Sequence, residues 1–360
     1  MIVEVNLGSR SYRIVIASGA LQSVGERLRE LRLGSRAALV SDAAIMRLYG
    51  KTVLGSLEAA GFHVTTIDVP VGESAKTFDV ARHCWDRLLT AGLDRTSTVL
   101  ALGGGAVGDV AGFAAATYMR GINFVQLPTT VLAQVDASIG GKTAIDHPLG
   151  KNMIGAFHQP RLVVVDPAVV RTLPEREFRS GLAEIVKHGI VLDADYFGEL
   201  ERELASLAAR DLDVLERIIA GSCRLKASVI ERDEREAELR HVLNYGHTIG
   251  HALEASTGYT LYAHGEAVSL GMVAESRLAR RLGIASHETT ARQQRVLEAL
   301  GLPVRAPSID VESVLSAMTR DKKAKDGQVP FVLAPRIGAF QIVYDAPPAE
   351  IRTAIVSLAS

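Results

Sequence analysis

The chain has 360 residues, with 40 Lys and Arg against 41 Asp and Glu, a formal net charge of -1 and two cysteines. At roughly 150 residues per domain this length suits two domains, and 48% hydrophobic with 22% charged residues supplies a core that excludes wholesale disorder. Charge balance also excludes a generic nucleic-acid binder, which needs a basic stripe to displace counterions from phosphates, so any basic site must be local.

The opening MIVEVNLGSRSYRIVIASG alternates apolar and polar residues, which predicts a strand pair and not a basic-headed signal peptide. Residues 20–32 read as a helix, RAALVSD (36–42) as a buried strand ending in an acid, and 43–60 as a helix ended by Gly61. FHVTTIDV is then a strand, 75–91 a helix ended by Gly92, and STVLALGGG a strand running into a glycine turn. Strands alternating with helices predict an α/β domain with a Rossmann-like parallel sheet covered on both faces, and INFVQLP and RLVVVDP read as its later strands. The apolar run 99–118 is about the length of a membrane span, but three consecutive glycines and Asp109 make it a nucleotide-type loop. From about residue 175, Glu, Arg, Leu and Ala recur at helical spacing, predicting a mainly α-helical domain. Two β-rich runs in 329–345 interrupt it, and a last helix starts near Pro347 or Pro348. The expected division is therefore 1–175 and 176–360, with the ligand in a cleft between the two. Cys84 and Cys223 lie far apart without metal-ligand spacing, which fits a reducing, cytoplasmic setting.

Residues 99–155 hold 10 of the 32 glycines, where an even share is about 5. The excess marks backbone that turns sharply or approaches a ligand. Gly103, Gly105 and Gly108 satisfy G-x-G-x-x-G after a predicted strand and before the helical run 106–118, where free amides can cradle a pyrophosphate. No acid follows about 20 residues on, where the ordinary dinucleotide fold keeps its ribose ligand. Asp42, ending the first parallel strand, and Glu73 in VGESAK are the substitutes.

In the helical half, EAELRHVLNYGHTIGHALE read as one helix puts Glu236, Arg240, Asn244, His247 and His251 within an arc of roughly 80°. Gly246 and Gly250 weaken such a helix by up to about 1 kcal/mol each, a cost explained if a ligand or another backbone comes close. His247 and His251 at i and i+4 can ligate one metal together, or divide ligation and proton transfer between them. Glu184 in SGLAEIVKHG, one turn before Lys187 and His188, and His264 opening HGEAV are further ligand candidates. Basic residues stand in motif-like positions at Arg120, Lys142, Lys151, Lys187, Lys226, Arg240, Lys322 and Lys323, with Asn152 beside Lys151. GGKT lacks the glycine lead-in of a phosphate loop, which argues against a Walker-type ATPase.

LGGGAVGDVAGFAAATYMRG, QLPTTVLAQVDASIGGKTAIDHPLGKNMIGAFHQP, SGLAEIVKHG, LNYGHTIGHALE, HGEAV and RDKK, in this order, closely resemble the 3-dehydroquinate synthase family over nearly all 360 positions. The resemblance implies NAD and a divalent metal, zinc or cobalt. It also implies a phosphorylated sugar acid substrate, 3-deoxy-D-arabino-heptulosonate 7-phosphate, converted to 3-dehydroquinate and phosphate in the shikimate pathway. The route would be transient oxidation by NAD, phosphate elimination, re-reduction and intramolecular aldol closure. By motif, the metal ligands are Glu184, His247 and His264, and His251 becomes the proton-handling or phosphate-contacting residue. Lys187, Glu236, Asp136 and Asn152 join His251 at catalytic positions. NAD would contact Asp42, Glu73, Lys76, Gly104, Gly105, Asp109, Thr129, Thr130, Lys142, Lys151 and Thr172. Arg240 and Lys226 would hold the substrate carboxylate, while Lys142, Asn152, Asn244, His251 and one of Lys322 and Lys323 surround the phosphate. Arg120 would reach a neighbouring subunit's phosphate site in a homodimer. AIDHP departs from the pattern, with Asp146 where asparagine is expected. Two alternatives remain open at this point: another sugar phosphate cyclase, whose substrate lacks the carboxylate, and a metal-dependent polyol dehydrogenase.

Overall fold

The structure is a computed structural model that describes residues 1–319 and 329–359. The chain divides into two compact units, the first formed by 1–173 and 215–235, the second by 174–214 and 236–360.

In chain order the first unit contains β1 (Ile2–Val5), β2 (Tyr12–Ile16), α1 (Val24–Glu30), β3 (Arg36–Asp42), α2 (Ala43–Ile45), α3 (Lys51–Ala59) and β4 (His63–Val69). Then come α4 (Phe78–Thr90), β5 (Thr98–Gly103), α5 (Gly105–Thr117), β6 (Asn123–Pro128), β7 (Lys142–His147), β8 (Gly150–Phe157) and β9 (Leu162–Val165). Seven strands form one sheet in the order β1-β2-β9-β6-β5-β3-β4. All its pairings are parallel except β1 with β2. β5 is buried along its whole length because both faces of the sheet are covered. Val99 and Ala101 join a cluster with Ala81, Cys84, Leu88 and Val110. The alternate residues Leu100 and Leu102 join another with Leu28, Val53 and Leu57. β3 has its successor β4 on one side and β5 on the other. The chain thus reverses its direction of travel between β3 and β5, and the carboxyl ends of two such strands frame the crevice where open α/β sheets bind ligands.

β7 and β8 pair antiparallel with a register shift between Ile145 and His147, and this hairpin has no counterpart among the predicted elements. It packs on α5 because Gly112 leaves room: a Cβ there would lie 2.4 Å from Thr143 Cγ2.

The second unit begins with α6 (Glu175–Leu192), α7 (Ala194–Arg202) and α8 (Leu204–Ala208). The next helix, α9 (Leu212–Arg232), lies mostly in the first unit, although its composition matches the helical half. Particular contacts hold it there. Lys226 reaches Asp136, Cys223 Sγ donates to the Gln134 carbonyl at 3.4 Å, and Arg10 pairs with Glu234 just beyond the helix. The second unit resumes with α10 (His247–Ser256), α11 (His264–Arg281), α12 (His287–Ala299), α13 (Val311–Thr319), the hairpin β10 (Phe331–Leu333) with β11 (Gln341–Val343), and α14 (Pro348–Val356).

The stretch 236–254 is not one helix. Leu239–Asn244 forms a 3-10 turn, Tyr245 is extended, Gly246 takes φ +77, and α10 starts only at His247. Glu236, at φ +60, precedes the turn and lies on no helix. The five-residue polar stripe therefore dissolves, leaving His247 and His251 as the pair that shares a helix.

Candidate active site

The first unit gathers its predicted residues at the carboxyl ends of the parallel strands. Asp42 ends β3, and its buried carboxylate accepts the amides of Ala44 and Ile45 at 2.9 and 3.0 Å, capping α2. Gly103 ends β5, Gly104 turns the chain in extended conformation, and Gly105 starts α5. The glycines of the motif are not equivalent. A Cβ at Gly108 would lie 2.8 Å from Gln126 Oε1, so that glycine serves packing against β6, whereas side-chain atoms of Thr130 and Ala137 stand 3.2 Å from a Cβ at Gly104 and Gly105. Thr129 follows β6, and its buried hydroxyl has no hydrogen-bond partner among the described residues. Thr130 Oγ1 caps the next turn through Ala133 N at 3.1 Å, and Thr172 bonds Tyr49 at 2.5 Å.

A charge cluster joins the hairpin tip to α5. The Lys76 ammonium, 4% exposed, lies 2.7 Å from Asp109 Oδ2, touches Asn152 Oδ1, and stands 4.0 Å from both Glu73 and Asp146. Burial pushes the Asp109 carboxyl up to about 6 even though Lys76 opposes the shift. Burial likewise opposes the Lys76 charge, but Asp109, Glu73 and Asp146 outweigh it and raise its pKa. Lys151 lies 3.4 Å from Glu73. Asp146 accepts the Asn152 amide at 2.7 Å and so holds Asn152 at φ +55. It is therefore part of the cluster. Lys142 is exposed on β7, and Arg120 is exposed at φ +66 after α5. On α9 the buried Lys226 ammonium donates to the carbonyl and carboxylate of Asp136 at 2.6 and 2.5 Å.

The second unit builds a different centre. α6 presents Glu184 and Lys187 one turn apart, both buried, with the ammonium against the carboxylate. Ser180, one turn before Glu184, accepts the Gly265 amide at 2.9 Å, and a Cβ on Gly265 would fall 1.9 Å from the Ser180 carbonyl. That contact seats the start of α11 on α6 and brings His264 Nε2 to 3.7 Å from Glu184 Oε1. α11 in turn meets α10 through glycines: a Cβ on Gly271 would be 1.8 Å from the Gly246 carbonyl, and one on Gly250 3.0 Å from that of Ala267. Another backbone, not a ligand, therefore explains both Gly246 and Gly250. The approach places His247 Nε2 3.4 Å from the same Glu184 oxygen. Glu275 accepts the Gly246 amide at 2.6 Å and Gln293 the Tyr245 hydroxyl at 2.5 Å, which pins the break.

Glu184, His247 and His264 can thus converge on one cation. The fully buried Glu184 carboxylate is charge-balanced by the Lys187 ammonium at Oε2, while Oε1 faces Nε2 of both His247 and His264, a donor set of the kind that holds a divalent cation. Burial alone would raise the Glu184 pKa, but Lys187, then His247 and His264, hold it well below the usual carboxylate range. His247 Nδ1 bonds the Tyr245 carbonyl at 3.1 Å, which points its Nε2 at Glu184. Burial, then Lys187, keeps that imidazole neutral, whereas Glu184 and Glu254 overcome burial at His264 and push it up to about 10. The His251 ring centre lies 5.2 Å from that of His247 and 6.0 Å from that of His264. Arg240 is buried on the 3-10 turn, and Asn244 ends it. Lys322 and Lys323 lie outside the described residues. Sequence reasoning missed Ser180, Tyr245 and Glu254; of these only Glu254 leaves a signal, seven residues after His247 and three after His251 on one helix face.

A Rossmann-like unit with a glycine turn at its switch point, and a helical unit with a carboxylate between two imidazoles, define the class: the chain has the fold of the sugar phosphate cyclases. The solved 2-epi-5-epi-valiolone synthase of Streptomyces hygroscopicus, with NAD+ and Zn2+ bound, is 29% identical with a TM-score of 0.89 over 98% of both chains. A 2-deoxy-scyllo-inosose synthase complexed with carbaglucose-6-phosphate, NAD+ and Co2+ is 26% identical with a TM-score of 0.87 over 99% of both. Within that class the chain belongs to the 3-dehydroquinate synthase family: residues 66–180 match the model of its N-terminal part and 181–324 that of its C-terminal part. The 3-dehydroquinate synthase of Geobacter metallireducens is 52% identical over 341 residues, 95% of each chain. That of Microcystis aeruginosa is 49% identical over 352 residues, 97% of this chain and 96% of its own.

Proposed function

We propose that this chain acts as a 3-dehydroquinate synthase, releasing phosphate from 3-deoxy-D-arabino-heptulosonate 7-phosphate and closing the carbocycle with NAD and a divalent zinc or cobalt ion. The observation that carries the reading is the convergence of the buried Glu184 carboxylate with Nε2 of His247 and His264, whose ligand atoms lie within 4.8 Å of one another. When bound, the metal supplies Lewis acidity to substrate hydroxyls and NAD a reversible hydride acceptor.

The chain's own residues do the rest. Glu184, His247 and His264 hold the cation, and Lys187 balances the charge of Glu184. His251, one helical turn from His247, is assigned to move a proton during phosphate loss and the later ring steps. Lys187 and Glu236, with Asp136 and Asn152, are assigned supporting catalytic roles. Bidentate Arg240 suits the planar substrate carboxylate, with Lys226 as the second cation. Lys142, Asn152, Asn244 and one of Lys322 and Lys323 are assigned to the phosphate. In the first unit the glycine turn, Asp42, Thr129, Thr130, Thr172 and the cluster around Lys76 are assigned to NAD. The unpartnered Thr129 hydroxyl supports this assignment. We assign the working form as a homodimer in which Arg120 serves the neighbouring copy, and the cytoplasm as its place. Among the described residues no helix is long and apolar enough to cross a membrane.

The test is phosphate release from the named substrate with NAD and metal, followed at the nicotinamide absorbance. Turnover without net NADH is expected, because NAD is regenerated in each cycle. Cyclisation of glucose 6-phosphate or sedoheptulose 7-phosphate in place of that substrate refutes the substrate, and NADH accumulating with product refutes the reaction. Sedimentation of the purified protein as a monomer refutes the dimer.

A further inference from the structure

Outside the three ligands, one acid in the second unit stands in a relation to the centre that the proposed function leaves unused. Glu254 lies on α10, two turns after His247, with its side chain 12% exposed. Its Oε1 is 3.4 Å from Nδ1 of His264, while the other ring nitrogen of His264 is 3.7 Å from Glu184. His247 shows the same arrangement with a different acceptor: its Nδ1 meets the Tyr245 carbonyl at 3.1 Å and its Nε2 faces Glu184. Both imidazoles thus have one nitrogen tied back to protein oxygen and the other turned inward. One is tied to a neutral carbonyl and one to a carboxylate.

We propose that Glu254 is a positioning residue for the metal centre: by accepting the Nδ1 proton of His264 it fixes that ring as an Nε2 donor and raises its basicity. The proposal rests on the reading of Glu184, His247 and His264 as the ligands. A carboxylate has a specific use here. His264 is the first residue of the 18-residue helix α11, where the positive end of the helix dipole lowers the basicity of the imidazole and disfavours a bound cation. A carboxylate behind the ring offsets that field, as outer acceptors do for histidine ligands generally. His247 also opens its helix, but its ring lies closer to Glu184 and is 9% exposed against 29% for His264, and a carbonyl suffices to hold it. α10 therefore supplies a ligand at one turn and the orienting acid of another ligand two turns on.

A different use of the same atoms is open to test. His251, Glu254 and His264 offer ligand atoms within 4.8 Å of one another, so Glu254 could instead bind a second cation directly. The experiment compares wild type with Glu254→Gln and Glu254→Ala, both checked for native circular dichroism. It measures Zn2+ affinity by competition with a chromophoric chelator, bound metal per chain, and the visible spectrum of the Co2+ form. Orientation through Nδ1 predicts one metal per chain throughout and affinity lowered about 10- to 100-fold in Glu254→Ala. Glu254→Gln, which keeps an acceptor oxygen, should lose less, and the Co2+ bands should shift without losing their intensity pattern. Wild-type affinity in both variants overturns the proposal. So does wild type binding two metals and Glu254→Ala one, which makes Glu254 a ligand. His247→Ala is the control that separates failures: if it too leaves affinity unchanged, the ligand set itself is wrong and the proposal falls with it.

Discussion

The meeting of α10 and α11 permits a graded test, because three glycines face very different surroundings. A Cβ at Gly271 would lie 1.8 Å from the Gly246 carbonyl oxygen and 2.9 Å from Gly250 N, both backbone atoms. At Gly250 the nearest atom would be the Ala267 carbonyl oxygen at 3.0 Å, and at Gly55, in α3, nothing lies within 4 Å. Alanine in a helix gains up to about 1 kcal/mol over glycine, so Gly55→Ala should stabilise the first unit by about 0.5–1 kcal/mol. At Gly250 that gain offsets a contact a few tenths of an ångström too tight, and the variant should stay within about 1 kcal/mol of wild type. Gly271→Ala requires the two helices to part by about 1 Å, which in a close-packed interior costs about 3 kcal/mol or more after the propensity gain. At about 2–4 °C per kcal/mol for a unit of 150–250 residues, its thermal midpoint should drop by about 6–12 °C. The same displacement carries His247 away from His264, so Zn2+ affinity should fall with it, whereas Gly55→Ala leaves affinity at the wild-type value. Thermal unfolding by circular dichroism and chelator competition read the two effects. A Gly271→Ala protein that melts and binds metal like wild type refutes the claim that glycine contact sets the spacing of His247 and His264.

His247→Ala should abolish metal-dependent phosphate release, and full retained turnover removes His247 from the ligand set. Cys84 and Cys223 are fully buried and pushed up by burial to about 12. The native protein at pH 8 should therefore release no colour from an aromatic disulfide reagent, and the denatured protein should titrate two thiols; rapid native labelling contradicts this burial. Asp109 binds its proton more tightly folded, at about 6, than unfolded, near 3.8, so lowering the pH stabilises wild type relative to Asp109→Asn. The stability difference, wild type minus variant, should fall by on the order of 2 kcal/mol as pH rises from 4 to 6. Urea unfolding at those two pH values checks it, and a flat or rising difference refutes the assignment.

The sheet was legible because its signal is local. β3 coincides with RAALVSD at 36–42, and the helix and strand alternation up to β9 follows from apolar runs bounded by glycine, since strands covered on both faces must be apolar throughout. The β7–β8 hairpin was not legible. Its residues alternate weakly, and its place depends on the gap at Gly112, a contact with a distant segment. The membership of α9 was hidden for a similar reason, because what ties it to the first unit is Lys226 on Asp136 and Glu234 on Arg10, partners about 90 and 224 positions away. The motifs singled out Glu184, His247 and His264, which the fold brings together, but Ser180, which seats His264 on α6, is a serine like any other until Gly265 is seen against it.

The polar stripe failed for a reason that bears on the chemistry. Its arithmetic assumes an unbroken helix through residues 236–254, in which Gly246 is a cost accepted for the close approach of a ligand or another backbone. With Gly246 at φ +77 and Tyr245 extended, the helix starts afresh at His247. In an unbroken helix the Tyr245 carbonyl would accept the amide four residues on. At the break it accepts Nδ1 of His247 at 3.1 Å and so fixes the tautomer that turns Nε2 toward Glu184. The same glycine gives up its Cβ to let α11 approach, which delivers His264. Breaking the helix therefore orients His247 and admits His264. A sequence rule that scores glycine as a cost of helix continuity assigns the opposite sign to the residue on which the placement of both histidines depends.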